Sequence, residues 1–317
     1  MHSTILNRLQ YPTGLFAAAP NAKTGYHRVW IRDNVYATLH DDKQAVKTIF
    51  ALLDILKKHE YKIDWMIKQP SKEGYRYIHP RYDESGNELP EPWGYKQNDA
   101  IGALLWKIGD LDKKGRIMWR LGDKETVKKL VNYLQAIEYW HDADNGMWEE
   151  KEEIHASSVG ACLAGLISVQ HIVDVPLHLI AHGEHALRTM LPNESVTKHA
   201  DLALLSLIWP YKVVTAHERE MILKNVEEQL VREKGVIRYA GDQYYSNGTE
   251  AEWTMGFPWL AIIYKELEIN KYQFYLNKAR DAMNENGELP ELYFGGTSAH
   301  NENTPLAWAM SLLEVAR

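Results

Sequence analysis

Apolar residues return at every third and fourth position through AVKTIFALLDILKKH, where Val46, Ile49, Phe50, Leu53 and Leu56 share one face. The same spacing puts Val127, Leu130, Val131, Leu134 and Ile137 on one face of TVKKLVNYLQAIEYW. A 3.6-residue repeat of this kind marks an amphipathic α-helix. It recurs near 97–109, 158–173, 177–190, 200–208, 216–232, 254–267, 270–283 and 304–316, with a short helix near 2–9 and another opening at Asp33. The chain therefore reads as about eleven or twelve helices. Strand signal is confined to short pieces such as EGYRYIHPRY and GVIRYAG. Connections such as DESGNELPEPWG, DADNG and GGTSAHNENTP are rich in Gly, Pro, Asn and Asp, the residues that break both periods.

No linker or shift in composition divides the 317 residues, so residues 1–317 read as one all-α domain. About a dozen antiparallel helices fit a stacked solenoid or a closed toroid of six hairpins. A solenoid repeats its sequence at a fixed period near 34 or 40 residues, and none is seen here. An (α/α)6 barrel is the expected fold.

Charge removes some functions. With 36 basic against 43 acidic residues and no basic stripe, the chain lacks the face that displaces counterions from nucleic acid. No apolar run is long enough to span a membrane, and the N-terminus has no signal-peptide core, so a cytoplasmic location is expected. The single cysteine, Cys162, excludes an internal disulfide and reads as a small apolar side chain. His178, His182 and His185 share helical spacing, yet no HExxH accompanies them, so no metal and no cofactor is expected. The 11 Trp and 18 Tyr outnumber the 5 Phe, a bias toward aromatics with a polar handle that suits a sugar pocket as well as an ordinary interface.

Candidate chemistry lies where loops meet helices. Trp30-Ile31-Arg32-Asp33, Trp93-Gly94-Tyr95-Lys96-Gln97-Asn98-Asp99, Trp148-Glu149-Glu150, Arg238-Tyr239-Ala240-Gly241-Asp242 and Leu289-Pro290-Glu291 each join an aromatic or apolar residue to a charge. Loops on a rigid scaffold carry function, although a carboxylate at a helix start also serves the helix dipole.

Taken in order, WIRD, WGYKQND, WEE followed by SS, RYAGD, and LPE followed by TPLAWAMSLL resemble the glucoamylase family, glycoside hydrolase family 15, over essentially the whole chain. WIRDNVY and EAEWTMGFPW are also similar to the N-terminal domains of the phosphorylase kinase α and β subunits. The resemblance implies an (α/α)6 barrel and inverting hydrolysis that releases β-glucose from a non-reducing end. It implies Glu149 as general acid and Glu291 as general base. Arg32 and Asp33 would grip the terminal sugar, Trp93 would flank the site and Arg238 would stand near the scissile bond, with Trp148 and Glu150 also expected to bind substrate. No starch-binding module or N-terminal β-sandwich of the family is expected within these 317 residues, which points to short α-gluco-oligosaccharides, α-1,4 or α-1,6, rather than insoluble starch. After Glu291 the run LYFGGTSAHNENTP replaces the glutamine-containing segment common in the family.

Inverting hydrolysis needs a protonated carboxyl at the leaving oxygen and an ionised one across the ring, roughly 6.5–9.5 Å apart with a water between. Trp148 and Glu150 would raise the pKa of Glu149 by desolvation and like charge, leaving Glu152 and Glu153 to face solvent. Two other readings stay open: a catalytically silent carbohydrate-binding or regulatory protein of the phosphorylase kinase type, and a helical scaffold for protein interaction.

Overall fold

The computed structural model describes residues 2–317, with side chains from Ile5 onward. Thirteen helices lie among the described residues: α1 (His2–Leu9), α2 (Ile31–Ala37), α3 (Asp42–Lys58), α4 (Glu60–Lys68), α5 (Asn98–Lys113), α6 (Asp123–Ile137), α7 (Ala156–Val169), α8 (Leu177–Met190), α9 (Leu205–Ile208), α10 (Ala216–Gln229), α11 (Gly256–Glu266), α12 (Lys271–Asp281) and α13 (Ala307–Ala316). Two ribbons of paired dipeptides join them. Val29–Trp30 (β1) lies antiparallel to Arg81–Tyr82 (β2), and Glu252–Trp253 (β3) to Leu292–Tyr293 (β4). No helix among the described residues is long and apolar enough to cross a membrane.

The helices sort into two layers by the breadth of their apolar faces. α2, α5, α7, α9, α11 and α13 bury almost every residue, as ASSVGACLAGLISV in α7 requires, because a helix apolar all round has no face for water. These six close a ring: α2 packs on α5, α5 on α7, α7 on α9, α9 on α11, α11 on α13, and α13 back on α2. α3, α6, α8, α10 and α12 carry one buried stripe each and stand outside the ring, returning the chain from one inner helix to the next. The expected (α/α)6 barrel is the fold.

Local differences have simple causes. Helix α2 opens at Ile31 instead of Asp33, and the helix read over 45–59 begins at Asp42. Asp41 caps it by accepting from the Lys43 and Gln44 amides. α4 follows almost at once, anchored by only Lys62, Ile63 and Met66, too short a stripe for its period to register. Of EGYRYIHPRY only Arg81–Tyr82 is strand, and Gly74–Arg76 is a single 3-10 turn. GVIRYAG forms no strand, only isolated bridges from Val236 to Val231 and Trp253.

The tightest crossing of the ring is between α5 and α7. A Cβ on Gly102 would fall 2.3 Å from the Ala161 carbonyl carbon, and one on Gly165 would fall 2.5 Å from the Gly102 carbonyl oxygen. Each backbone therefore occupies the space of the other's missing side chain, and neither can retreat without opening the ring. Gly102→Val is expected to lower the unfolding free energy by at least about 1–3 kcal/mol in a urea titration. An unchanged midpoint would contradict this approach of the two helices.

Candidate active site

Each outer helix returns the chain, so the inner helices present their N-termini at a common end, where the loops before α2, α7, α11 and α13 line a cavity of about 480 Å³. All eight residues expected to form a site line it: Arg32, Asp33, Trp93, Trp148, Glu149, Glu150, Arg238 and Glu291. The helix dipoles there favour anionic groups, consistent with four carboxylates in one cavity.

Arg32, in the first turn of α2, organises one wall. Its side chain is 4% exposed; Nη1 donates to Asp99 Oδ2 and to Gln97 Oε1, each at 3.1 Å, while Nη2 donates to Glu149 Oε1 at 2.9 Å. Trp93 Nε1 donates to the other oxygen of Glu149. The indole of Trp93 is itself held by Arg81, whose guanidinium lies 3.6 Å from the ring centroid, and by the edge of Trp30.

The adjacent carboxylates of Glu149 and Glu150 go to different partners. Glu149 has φ +63°, a left-handed conformation that costs a non-glycine residue on the order of 1–2 kcal/mol and recurs at functional turns. Glu150 accepts from Arg238 Nη2 at 2.9 Å, Lys198 Nζ at 2.7 Å and the Tyr239 hydroxyl at 2.8 Å. Arg238 is fixed in turn by Asp242, with two bonds of 2.6 Å. The expected crowding of Glu149 by Glu150 is thus replaced by two separate anchorages. Trp148, packed on the rings of Trp253 and Trp308, donates its indole N–H to Asp201 at 2.8 Å. Of the remaining acids of the run, Glu152 is exposed and pairs with Lys96, while Glu153 is half-buried and accepts from Thr197.

Glu291 is 1% exposed, and three donors hold it. The Tyr26 hydroxyl reaches Oε1 at 2.5 Å, and Asn301 and Asn303 reach Oε2 at 2.5 and 2.8 Å. Thr24 donates to Asn303 Oδ1 at 2.6 Å, which leaves the Asn303 amide N–H to point at the carboxylate. Burial pushes Glu291 above the usual carboxylate range, while these donors and Arg238 pull the other way. The segment that departs from the glutamine-containing pattern is therefore the one that supplies both amides.

Asp33 differs from all of these. No hydrogen bond from another residue reaches its carboxylate among the described residues, and Arg32 Nε stands 4.0 Å away. Burial raises it to about 7, with the charges of Glu149 and Glu291 adding to the rise and Arg32 opposing it. It is an acceptor left open toward the cavity.

The first 174 residues decide the family. A model of glycosyl hydrolases family 15 matches residues 2–174, more than half of the chain. The chain belongs to glycosyl hydrolase family 15. Among curated proteins, this family 15 chain is similar to the phosphorylase b kinase regulatory subunit alpha of Mus musculus skeletal muscle, 26% identical over 290 residues. That match covers 77% of the chain and 23% of the relative, so the chain spans less than a quarter of the subunit's length. It is also similar to an uncharacterized glycosyl hydrolase of Methanocaldococcus jannaschii, 24% identical over 338 residues, covering 94% of the chain and 52% of the relative. A solved glycosidase variant in complex with glucose shares the fold, with TM-score 0.85 and 20% identity over 99% of this chain and 94% of that one.

Several lining residues of this family 15 site were not singled out from the sequence: Tyr26, Tyr244, Trp253 and Trp308. Two of them, Trp253 and Trp308, lie inside the motifs quoted above, EAEWTMGFPW and TPLAWAMSLL, from which no site residue was taken. Tyr26 and Tyr244, whose hydroxyls meet at 2.8 Å, carry no local signal. The three histidines of α8 are on the outer layer, with His182 stacked on Trp140 at 4.7 Å.

The open carboxylate has a stability cost of definite sign. A carboxyl raised from 3.8 to about 7 on folding favours the protonated fold; its stabilisation is complete below the unfolded value and lost as pH rises through about 7. Asp33→Asn, neutral throughout, is therefore expected to raise the unfolding free energy at about pH 8 by on the order of 1–4 kcal/mol and change it little at about pH 4. Chemical denaturation at the two pH values checks this, and an equal effect at both would remove the burial penalty assigned to Asp33.

Proposed function

We propose that this protein is an inverting, exo-acting α-glucoside hydrolase that releases β-glucose from the non-reducing end of short α-gluco-oligosaccharides, α-1,4 or α-1,6. The observation that carries this reading is the convergence of Arg32, Asp33, Trp93, Glu149 and Glu291 on one cavity of about 480 Å³, the size of a small-molecule site. Glu149 is the general acid. Glu291, anchored by Tyr26, Asn301 and Asn303, is the general base that takes a proton from the attacking water. Asp33 accepts from the hydroxyls of the terminal glucose, and Arg32 fixes that wall of the pocket. Trp93 and Trp148 offer apolar ring faces to the pyranose. The glucose bound by a glycosidase of the same fold supports the choice of sugar.

A second reading has its own observation. The match to a regulatory subunit favours a sugar-binding module without turnover. Both glutamates, held by dedicated partners, favour the enzyme.

Incubation with maltose, isomaltose and panose separates the two. Glucose is expected from the wild-type protein, with turnover at least about 10²–10⁴-fold lower in Glu149→Gln and Glu291→Gln at unchanged melting temperature. Wild-type-like turnover in either variant would end the assignment of that residue, and no glucose from any substrate would favour the regulatory reading.

A further inference from the structure

Behind the hairpin that carries Trp148, Glu149 and Glu150 lies a buried ionic cluster to which the chemistry above gives no task. His155, Asp144 and Glu194 are 3%, 0% and 1% exposed. The hairpin is closed by Asp144 and Glu153, which exchange backbone hydrogen bonds of 2.8 and 3.0 Å, and His155 follows two residues later at the entrance to α7. We propose that His155, bound to Glu194 and facing Asp144, is the positioning residue of this hairpin, setting where Glu149 and Glu150 stand in the cavity. The proposal rests on the glycosidase reading of that cavity.

Contacts run from the ring to the site in two directions. One leads to the turn. Gly146 has φ +63°, and a Cβ there would lie 2.8 Å from both Nε2 and Cδ2 of His155, so the turn rests on the imidazole edge. The next bonds are Glu149 N–H to the Gly146 carbonyl at 3.3 Å and Glu150 N–H to the Asn145 carbonyl at 2.9 Å. A shift of the ring therefore moves the segment that places both carboxylates. The other direction leads to the frame. His155 Nδ1 lies 3.4 Å from Glu194 Oε1, and Glu194 caps α7 by accepting from the Ser157 amide at 3.0 Å and the Ser157 hydroxyl at 2.5 Å. Asp144 accepts from the Asn98 amide at the start of α5 and from the Gly146 amide, at 3.0 and 3.2 Å. The cluster thus ties the hairpin to the first turns of two inner helices.

The groups acting on the ring come from each element around it. They are Asp144 and Glu153 of the hairpin, and Glu194 and Lys198 of the turn after α8; the α7 hydroxyls of Ser157 and Ser158 act on Glu194 and Asp144. Asp99 of α5 acts through Asp144. Burial alone would lower the imidazole pKa, but the Glu194 bond and the two carboxylate charges push it up to about 9. Nε2 has no protein hydrogen-bond partner among the described residues. A packed apolar side chain would stabilise such a site as well, yet only a directional charged group specifies the orientation of its neighbours.

His155→Gln keeps a polar side chain and removes the charge. In the folded variant, checked by circular dichroism, kcat is expected to fall on the order of 10- to 100-fold with KM within about twofold, since the acid is displaced while Asp33 still grips the sugar. Amides of residues 145–150 should exchange with deuterium at least about tenfold faster, while those of α11 do not change. The wild-type kcat profile should also lose activity as pH rises through about 9, a limb missing from the variant. Unchanged kcat and unchanged hairpin exchange in a folded variant would overturn the proposal. If His155→Gln does not fold, Asp144→Asn, which removes the charge facing the ring and keeps one of the two oxygens that accept from the Asn98 and Gly146 amides, is read by the same criteria. If the wild-type protein hydrolyses nothing, the glycosidase reading falls, and hairpin exchange alone decides the role of His155.

Discussion

Arg32 holds a full positive charge at 3% exposure, in the first turn of an inner helix, where water cannot solvate it. Such a charge survives only with near partners, and removing any one leaves another buried ion uncompensated. Asp99 ties Arg32 to α5, Glu149 ties it to the hairpin before α7, and Gln97 takes a further N–H. Three neighbouring segments of the ring are thereby fixed against one guanidinium, which is also part of the wall of the cavity. The site and the closure of the barrel share this interaction.

Other buried charges repeat the arrangement with a different division of labour. Arg238, pinned by Asp242, pairs with Glu150, and the Tyr26–Asn301–Asn303 set holds Glu291. Each of the two glutamates assigned to the chemistry is oriented through both of its oxygens, whereas Asp33 has no such partner. A carboxylate without a hydrogen-bonding neighbour is costly in the empty fold and useful only to a ligand that brings donors, which is what a sugar hydroxyl does. The aromatic residues around them, Trp148, Trp253, Trp308 and Tyr244, keep the floor apolar.

Much of this was legible in the sequence, for physical reasons that differ by residue. The helices announce themselves by their 3.6-residue apolar repeat, and the absence of a fixed sequence period favours a closed barrel over a solenoid. The charged members of the site stand beside aromatic residues at helix starts, an unusual pairing that is visible in WIRD and WEE. What escaped depends on contacts between distant segments. Tyr26 meets Glu291 across 265 positions, and nothing in AKTGYHRV reports it. The split of Glu149 from Glu150 turns on one left-handed residue and on Lys198, which no local pattern couples to the run of acids. Asn301 and Asn303 stand in the segment that departs from the family pattern, and their contacts emerge only once the loop folds back on Glu291.

The central claim is that Glu149 and Glu291 act from opposite faces of one terminal glucose, with a water on the Glu291 side. Proton NMR of a fresh reaction with an α-linked disaccharide resolves the first-formed anomer before the two equilibrate. Attack on the face opposite the leaving group must yield β-glucose first. Initial α-glucose would mean that a carboxylate attacks the sugar directly, and the assignment of Glu291 as a base would be wrong.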